Sequence, residues 1–175
     1  PGRLEEALKA AVHAVALGEP QDLLKAELLE QLDRSEEAHT SLTEALEKDP
    51  ENAELRAQLV LLQHQAGNPE AAFEILAEAP AGAWEGPALH LQKGRLILAE
   101  ADRYRDGTGE RDRELLSEAD LAFESALEAD RESGVGWLGK ARIQRMSQDY
   151  SEAQMSLARA RRLLPDEPLI AAEEA

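Results

Sequence analysis

Apolar residues recur along this chain three and four positions apart, and no stretch alternates apolar and polar residues as a half-buried strand would. This spacing places the apolar side chains on one face of a helix. The pattern is interrupted at Gly, Pro, Asn and Asp, which are typical of helix ends. It predicts helices over these residues: 3–17, 20–32, 35–48, 52–66, 69–78, 86–104, 112–129, 133–146, 150–163 and from 168 onward.

A small–large–small group of apolar residues returns at a fixed spacing. Its first copy is Ala38, Leu42 and Ala45, followed by Pro50. Later copies follow: Ala72, Leu76, Ala79; Ala119, Phe123, Ala126; Ala153, Leu157, Ala160, Pro165. Successive copies are 34 residues apart, except that one step of 47 residues contains an insertion of 13. A period of this length indicates a repeat built from one pair of helices.

Each pair of helices is expected to turn tightly. Residues 67–69 read Gly-Asn-Pro, in which Gly ends one helix and Pro opens the next. Residues 147–150 hold the equivalent place in the last repeat. The small residues, such as Ala38 and Ala153, allow neighbouring helices to approach closely, because a larger side chain there would overpack the contact.

The period and the small–large–small pattern resemble the tetratricopeptide repeat, and the best match is Trp137, Ala141, Ala153, Leu157, Ala160 and Pro165. The resemblance covers nearly the whole chain, from about residue 19 to the end. It implies an all-α, right-handed superhelix, a solenoid of about four helical hairpins with flanking helices. The expected array has an end helix, four repeats and the start of a further helix. Their bounds are 1–18, 19–52, 53–86, 87–133 with an insertion near 102–114, 134–167 and 168–175.

The repeats also depart from the family pattern. Trp stands at the characteristic position of the first helix only in the last repeat, as Trp137. Asp22, Arg56 and His90 hold that position in the other three. The second repeat closes with residues 79–82 instead of an acidic residue and Pro, so we expect irregular stacking after it.

The two ends of the chain resemble incomplete repeats. Residues 3–17 look like the second helix of a repeat, and residues 168–175 like a first helix that stops early. Because solenoids close with polar capping repeats, we expect a piece of a longer array. Its terminal helices would then expose apolar residues and favour homo-oligomers through the ends. These residues are Leu4, Leu8, Leu169 and Ile170.

Charge and composition narrow the class of partner. The net charge is −17, and such a surface disfavours nucleic acid and anionic membranes, which themselves carry negative charge. No stretch approaches 18 apolar residues, so we expect no direct membrane insertion. The absence of Cys excludes disulfides and thiolate chemistry, but leaves the compartment open between cytoplasm and periplasm.

No constellation typical of catalysis or metal binding is present. The histidines are His13, His39, His64 and His90. None lies four residues from another, whereas a zinc site needs three or four converging ligands. We therefore expect no enzyme activity, no metal and no cofactor.

The insertion has a superficial likeness to a calcium loop, with Gly107 at the sharp turn. Tyr104 and Arg113 stand where such a loop requires carboxylate or amide oxygen ligands. The interpretation is a polar turn between two extended helices.

The family resemblance implies that the first helix of each hairpin lines a concave groove, which holds an extended peptide or a helix of a partner. Carried over by register, the expected partner-binding residues are Leu61, His64, Gln65, Leu91, Arg95, Leu98, Leu138, Arg142 and Arg145. Interhelix packing is the alternative for the apolar members, and internal ion pairs for the arginines. Leu23 and Glu27 stand where a carboxylate clamp would begin with Lys and Asn, so chaperone-tail binding is not expected.

The leading function is therefore a protein-interaction scaffold whose partner carries acidic and apolar side chains. An alternative is self-assembly, or a linking array within a larger multidomain, envelope or secretion machine. A third hypothesis is an accessory to catalysis that takes place in another domain.

Overall fold

The computed structural model describes residues 2–103 and 110–165, and every regular element in these ranges is a helix. The α-helices are α1 Gly2–Ala16, α2 Asp22–Gln31, α3 Ser35–Lys48, α4 Ala53–Gln65, α5 Pro69–Ala77, α6 Pro87–Arg103, α7 Glu110–Ala129, α8 Gly134–Met146 and α9 Tyr150–Leu163. A short 3₁₀ helix, Ala81–Trp84, precedes α6. The prediction of an all-α fold of helical hairpins is confirmed.

The chain divides into two compact units, Pro1–Ala83 and Trp84–Ala175. Unit 1 contains α1 and the hairpins α2–α3 and α4–α5, and unit 2 contains the hairpins α6–α7 and α8–α9. Each hairpin lies within one of the repeats expected from the sequence, whose exact bounds stay a prediction. The 3₁₀ helix was not anticipated, and it occupies the segment in which the second repeat departs from the family pattern.

Helix bounds agree with the sequence prediction to within two residues, and α3 and α9 agree at both ends. Local chemistry explains the agreement. Asn52 caps α4 by accepting a hydrogen bond of 3.1 Å from the Leu55 amide, and Ser133 caps α8 by accepting one of 3.2 Å from the Gly136 amide. The helix expected from residue 168 lies outside the described residues.

Three hairpin turns, those of α2–α3, α4–α5 and α8–α9, share one backbone conformation. Gly67 has a φ of +79°, and the residues 34 positions before and 81 positions after it also adopt the left-handed region. These are Asp33, with a φ of 60°, and Gln148, with a φ of 68°. The repeat thus imposes a left-handed residue at each of these turns, although only one of the three is glycine.

In unit 1, α1 packs as a second helix of a repeat. Leu8 is 5% exposed and Ala11 is 3% exposed, and they lie 34 residues before the buried Leu42 and Ala45. The expectation that Leu8 forms an exposed apolar edge is therefore wrong, because Leu8 belongs to the buried core cluster of unit 1. Leu4 packs in part against the same core.

In unit 2, the ring of Phe123 fills the contact between three helices and is 1% exposed. A Cβ atom at Gly94 of α6 would lie 2.8 Å from Cε2 of this ring. A Cβ atom at Gly139 of α8 would lie 2.4 Å from Cε1. Two helices can approach Phe123 this closely because they carry glycine at the contact.

The insertion extends both helices of the third hairpin. Helix α6 has 17 residues and α7 has 20, against 13 and 14 in the last hairpin. Residues 104–109, which include Tyr104 and Gly107 of the rejected calcium loop, lie outside the described residues.

Candidate partner-binding surface

Five of the six predicted partner-binding residues of unit 2 contribute surface to two helices that contact each other, α6 and α8. We call them the α6–α8 face: Leu91, Arg95, Leu138, Arg142 and Arg145. Their spacing of three and four residues places them on one side of each helix. Arg95 and Arg145 are exposed, and the other three are half-buried.

Leu98 belongs to the same stripe of α6 but is only 3% exposed. It packs into the interior of unit 2 and presents almost no surface. Leu98 is therefore an interhelix packing residue, which was the alternative to partner binding. Leu91 and Arg95 form the part of the stripe that remains at the surface.

The three predicted residues of unit 1 lie on α4, where Leu61 and His64 are half-buried and Gln65 is exposed. The neighbouring helix α2 supplies Glu30, whose Oε2 accepts a hydrogen bond of 2.9 Å from Gln58. Burial raises the pKa of Glu30, the bond from Gln58 opposes this, and the negative charge of Glu27 raises the pKa further. The first-helix side of unit 1 is thus acidic.

Arg142 forms an ion pair with Asp102 of α6, through Nη2 and Oδ2. The two side chains are 43% and 33% exposed, so the pair lies at the surface. Internal ion pairing was the alternative to partner binding for these arginines. For Arg142 that alternative is found, and the contact fastens α6 to α8.

Three first helices, α4, α6 and α8, are also held at their beginnings by a contact that the sequence analysis missed. A side-chain nitrogen at the characteristic position of the repeat bonds to the backbone oxygen six residues earlier. The three pairs are Arg56 with Pro50 at 3.1 Å, His90 with Trp84 at 3.0 Å and Trp137 with Arg131 at 2.9 Å. Arg56 and His90 therefore replace the indole donor functionally, although they appeared to break the pattern.

A second surface of unit 2 is a cleft of about 470 Å³ where α7, α8 and the start of α9 meet. Beside it, Lys140 pairs with Asp120 at 2.6 Å and with Glu124 at 2.9 Å. Burial opposes the charge of Lys140, but the hydrogen bonds to Asp120 and Glu124 outweigh it and raise the pKa of the lysine. No sequence signal pointed to this cleft, because its residues come from three helices with no shared motif.

Residues 2–103 and 110–165 contain neither a metal-binding cluster nor a membrane-spanning helix. No group of three His, Asp or Glu side chains there could hold a metal ion. No helix in the same ranges is long and apolar enough to cross a membrane.

Comparison with known proteins agrees with the architecture. A family model described as tetratricopeptide repeat matches residues 29–93. None of the curated proteins has a sequence that matches this chain. Several solved structures share its fold.

The human IFIT1 dimer with PPP-AAAA is 21% identical, with a TM-score of 0.66 over 86% of this chain and 33% of IFIT1. The chain thus spans about a third of the length of that protein. The thermophilic tetratricopeptide protein TTC0263 of Thermus thermophilus is 19% identical, with a TM-score of 0.68 over 97% of this chain and 78% of TTC0263. YrrB, described as a tetratricopeptide protein with an unusual peptide-binding site, is 19% identical, with a TM-score of 0.59 over 99% of this chain and 84% of YrrB.

Identities this low establish a shared fold and carry no residue roles. The fold itself suggests a protein-interaction scaffold, because stacked helical hairpins present extended surfaces for binding. The 34-residue repeat, the helical hairpins and the structural neighbours agree on a tetratricopeptide-type fold, and residues 29–93 match the tetratricopeptide repeat family itself.

Proposed function

We propose that this chain is a protein-interaction scaffold that holds an acidic, partly apolar segment of another protein on the α6–α8 face. The observation that supports this most is the gathering of Arg95, Arg142 and Arg145 on first helices of a chain whose net charge is −17. Half-buried Leu91 and Leu138 add apolar surface beside the guanidinium groups. A guanidinium binds a carboxylate through parallel N–H donors, which favours an acidic ligand over a neutral one.

The existing contacts of these arginines are compatible with binding. The Arg142–Asp102 pair is partly exposed, and pairs of this kind contribute about 0–1 kcal/mol to stability. A partner carboxylate can therefore take over such a contact at small cost. The negative charge of the rest of the chain would meanwhile repel other acidic proteins that do not fit the face.

The residues Leu61, His64 and Gln65 of α4 form a second proposed partner contact, which belongs to unit 1 alone. Their surroundings in unit 1 are acidic, through Glu27 and Glu30, so this contact suits apolar or basic side chains. The peptide-binding site named for YrrB supports peptide recognition by this fold. The IFIT1 complex with PPP-AAAA raises nucleic acid as another ligand, which the charge of −17 disfavours.

The experiment is capture of the partner from the source cell by the full chain, followed by affinity measurement with the purified pair. Arg142→Glu combined with Arg145→Glu should weaken binding, while circular dichroism and thermal unfolding stay nearly unchanged. Binding should also weaken as salt rises, because exposed charges are screened.

The matched control is Arg161→Glu combined with Arg162→Glu, which makes the same change of charge on exposed positions of α9. It should bind almost as well as the original chain. If the double variant on α8 keeps the same affinity, the α6–α8 face is not the site. The convex face or the insertion around residues 106–112 would then be the better candidate.

A further inference from the structure

Asp102 owes its position to the insertion. Helices α4 and α8 end after 13 residues, whereas α6 continues through 17 and places Asp102 in its added turn. It follows Leu91, Arg95 and Leu98 at intervals of four, three and four residues. Asp102 therefore extends the stripe that forms the α6 side of the α6–α8 face.

The carboxylate of Asp102 contacts Arg142, one of the two arginines of α8 on this face. The contact joins residues 40 positions apart, and both side chains remain partly exposed. A partner's Asp or Glu side chain would present the same two oxygen atoms to the same guanidinium. The ion pair thus shows, within the chain, the kind of contact that an acidic ligand would make.

We infer that Asp102 is an internal competitor, a carboxylate supplied by the insertion that an incoming acidic side chain must displace from Arg142. This inference rests on the proposed function of the α6–α8 face. The competition lowers the affinity for acidic segments and favours ligands whose remaining contacts compensate for the displacement. The tethered carboxylate competes at high effective concentration, and it does so in every copy of the chain.

The test uses a fluorescein-labelled synthetic peptide rich in Glu, with Leu at every third position, and fluorescence anisotropy with the full chain. Asp102→Asn keeps the shape of the side chain and removes its charge. We expect it to bind the peptide about two- to fivefold more tightly than the original chain, in keeping with the modest strength of exposed ion pairs. Circular dichroism should show the same helix content for both proteins.

Two further variants make the result specific. Glu128→Gln removes one negative charge from an exposed position of α7, and should leave the affinity nearly unchanged. In a chain that also carries Arg142→Gln, Asp102→Asn should no longer raise the affinity for the peptide. The guanidinium for which Asp102 and the peptide compete is then absent. The affinity of a control peptide with Gln in place of Glu should be the same for all of these variants.

The outcomes separate the two proposals. If the peptide binds through Arg142 but Asp102→Asn gives no gain, the competitor is refuted while the α6–α8 face stands. If Glu128→Gln gives the same gain as Asp102→Asn, the effect is one of net charge and the competitor is again refuted. If even Asp102→Asn fails to bind the peptide, both proposals fall.

Discussion

The indole Nε1 of Trp137 donates a hydrogen bond of 2.9 Å to the backbone oxygen of Arg131, six residues earlier in the chain. The same separation occurs in the two preceding repeats, from Arg56 to Pro50 and from His90 to Trp84. Three chemically different side chains thus tie the beginning of a first helix to the segment that leads into it. What they share is an N–H group at the same repeat position, so in these three repeats a donor, rather than an aromatic ring, is the common feature.

The first prediction concerns His90, which is half-buried and also touches the ring of Trp84 edge to face. His90→Leu and His90→Arg both remove this ring contact, but only Arg can still donate to the Trp84 oxygen, as Arg56 donates to Pro50. We expect the Leu variant to be less stable than the Arg variant by about 0.5–1.5 kcal/mol in urea unfolding. Equal stability of the two variants would show that the donor contributes nothing.

The second prediction concerns the glycines at Phe123. At an exposed position inside a helix, Gly→Ala stabilises the folded protein by about 1 kcal/mol, because Ala has the higher helix propensity. Gly139→Ala should instead destabilise by about 1–3 kcal/mol, because its Cβ would lie 2.4 Å from the ring. Adding Phe123→Leu should recover part of the loss, since Leu42 and Leu76 occupy the equivalent positions. A stabilising Gly139→Ala, measured by thermal unfolding, would contradict this packing.

The third prediction concerns the turns. Gln148 has a φ of 68°, a conformation that strains a residue with a Cβ atom. Gln148→Gly should raise the free energy of unfolding by about 0.5–1 kcal/mol, the relief of strain exceeding the entropy of glycine in the unfolded chain. Gly67→Ala, at the equivalent turn with a φ of +79°, should lower it by a similar amount. If Gln148→Gly lowered the free energy of unfolding and Gly67→Ala raised it, the left-handed conformation would not be the feature that these turns require.

The fourth prediction concerns pH. The pKa of Glu30 is raised above its usual 4.5, so the fold favours the protonated carboxyl. The stability this contributes is present below pH 4.5 and is lost as the pH rises through the raised pKa. Glu30→Gln should therefore stabilise unit 1 at neutral pH, and the gain should shrink as the pH falls through the raised pKa toward 4.5. A gain that persists unchanged in acid would have another cause.

The sequence was sufficient to predict the fold because the repeat period and the turn residues both indicated the same helical hairpins. The recurring Ala38, Leu42 and Ala45 set the period, and the turn at 67–69 separated the helices of each pair. The bounds of α3 and α9 followed from these features alone. Local signals determined helix ends here, since Gly, Pro and the capping residues act within a few positions.

Other features depended on contacts between helices. Leu98 and Leu91 occupy the same stripe of α6, yet Leu98 is 3% exposed while Leu91 is half-buried. Leu8 was expected at an exposed edge, and its burial depends on how α1 meets the next hairpin. The pairing of Arg142 with Asp102 likewise spans 40 residues, beyond the reach of any local pattern.

The measurement that tests the central claim most directly is a nuclear magnetic resonance titration of the ¹⁵N-labelled chain with the Glu-rich, Leu-containing peptide. The account predicts that the largest amide shift changes occur in α6 and α8, around Leu91, Arg95, Leu138, Arg142 and Arg145. It also predicts that these changes disappear when Arg142 and Arg145 are both replaced by Glu. Shift changes confined to α7 and α9, or none at high peptide concentration, would contradict a partner-binding role for the α6–α8 face.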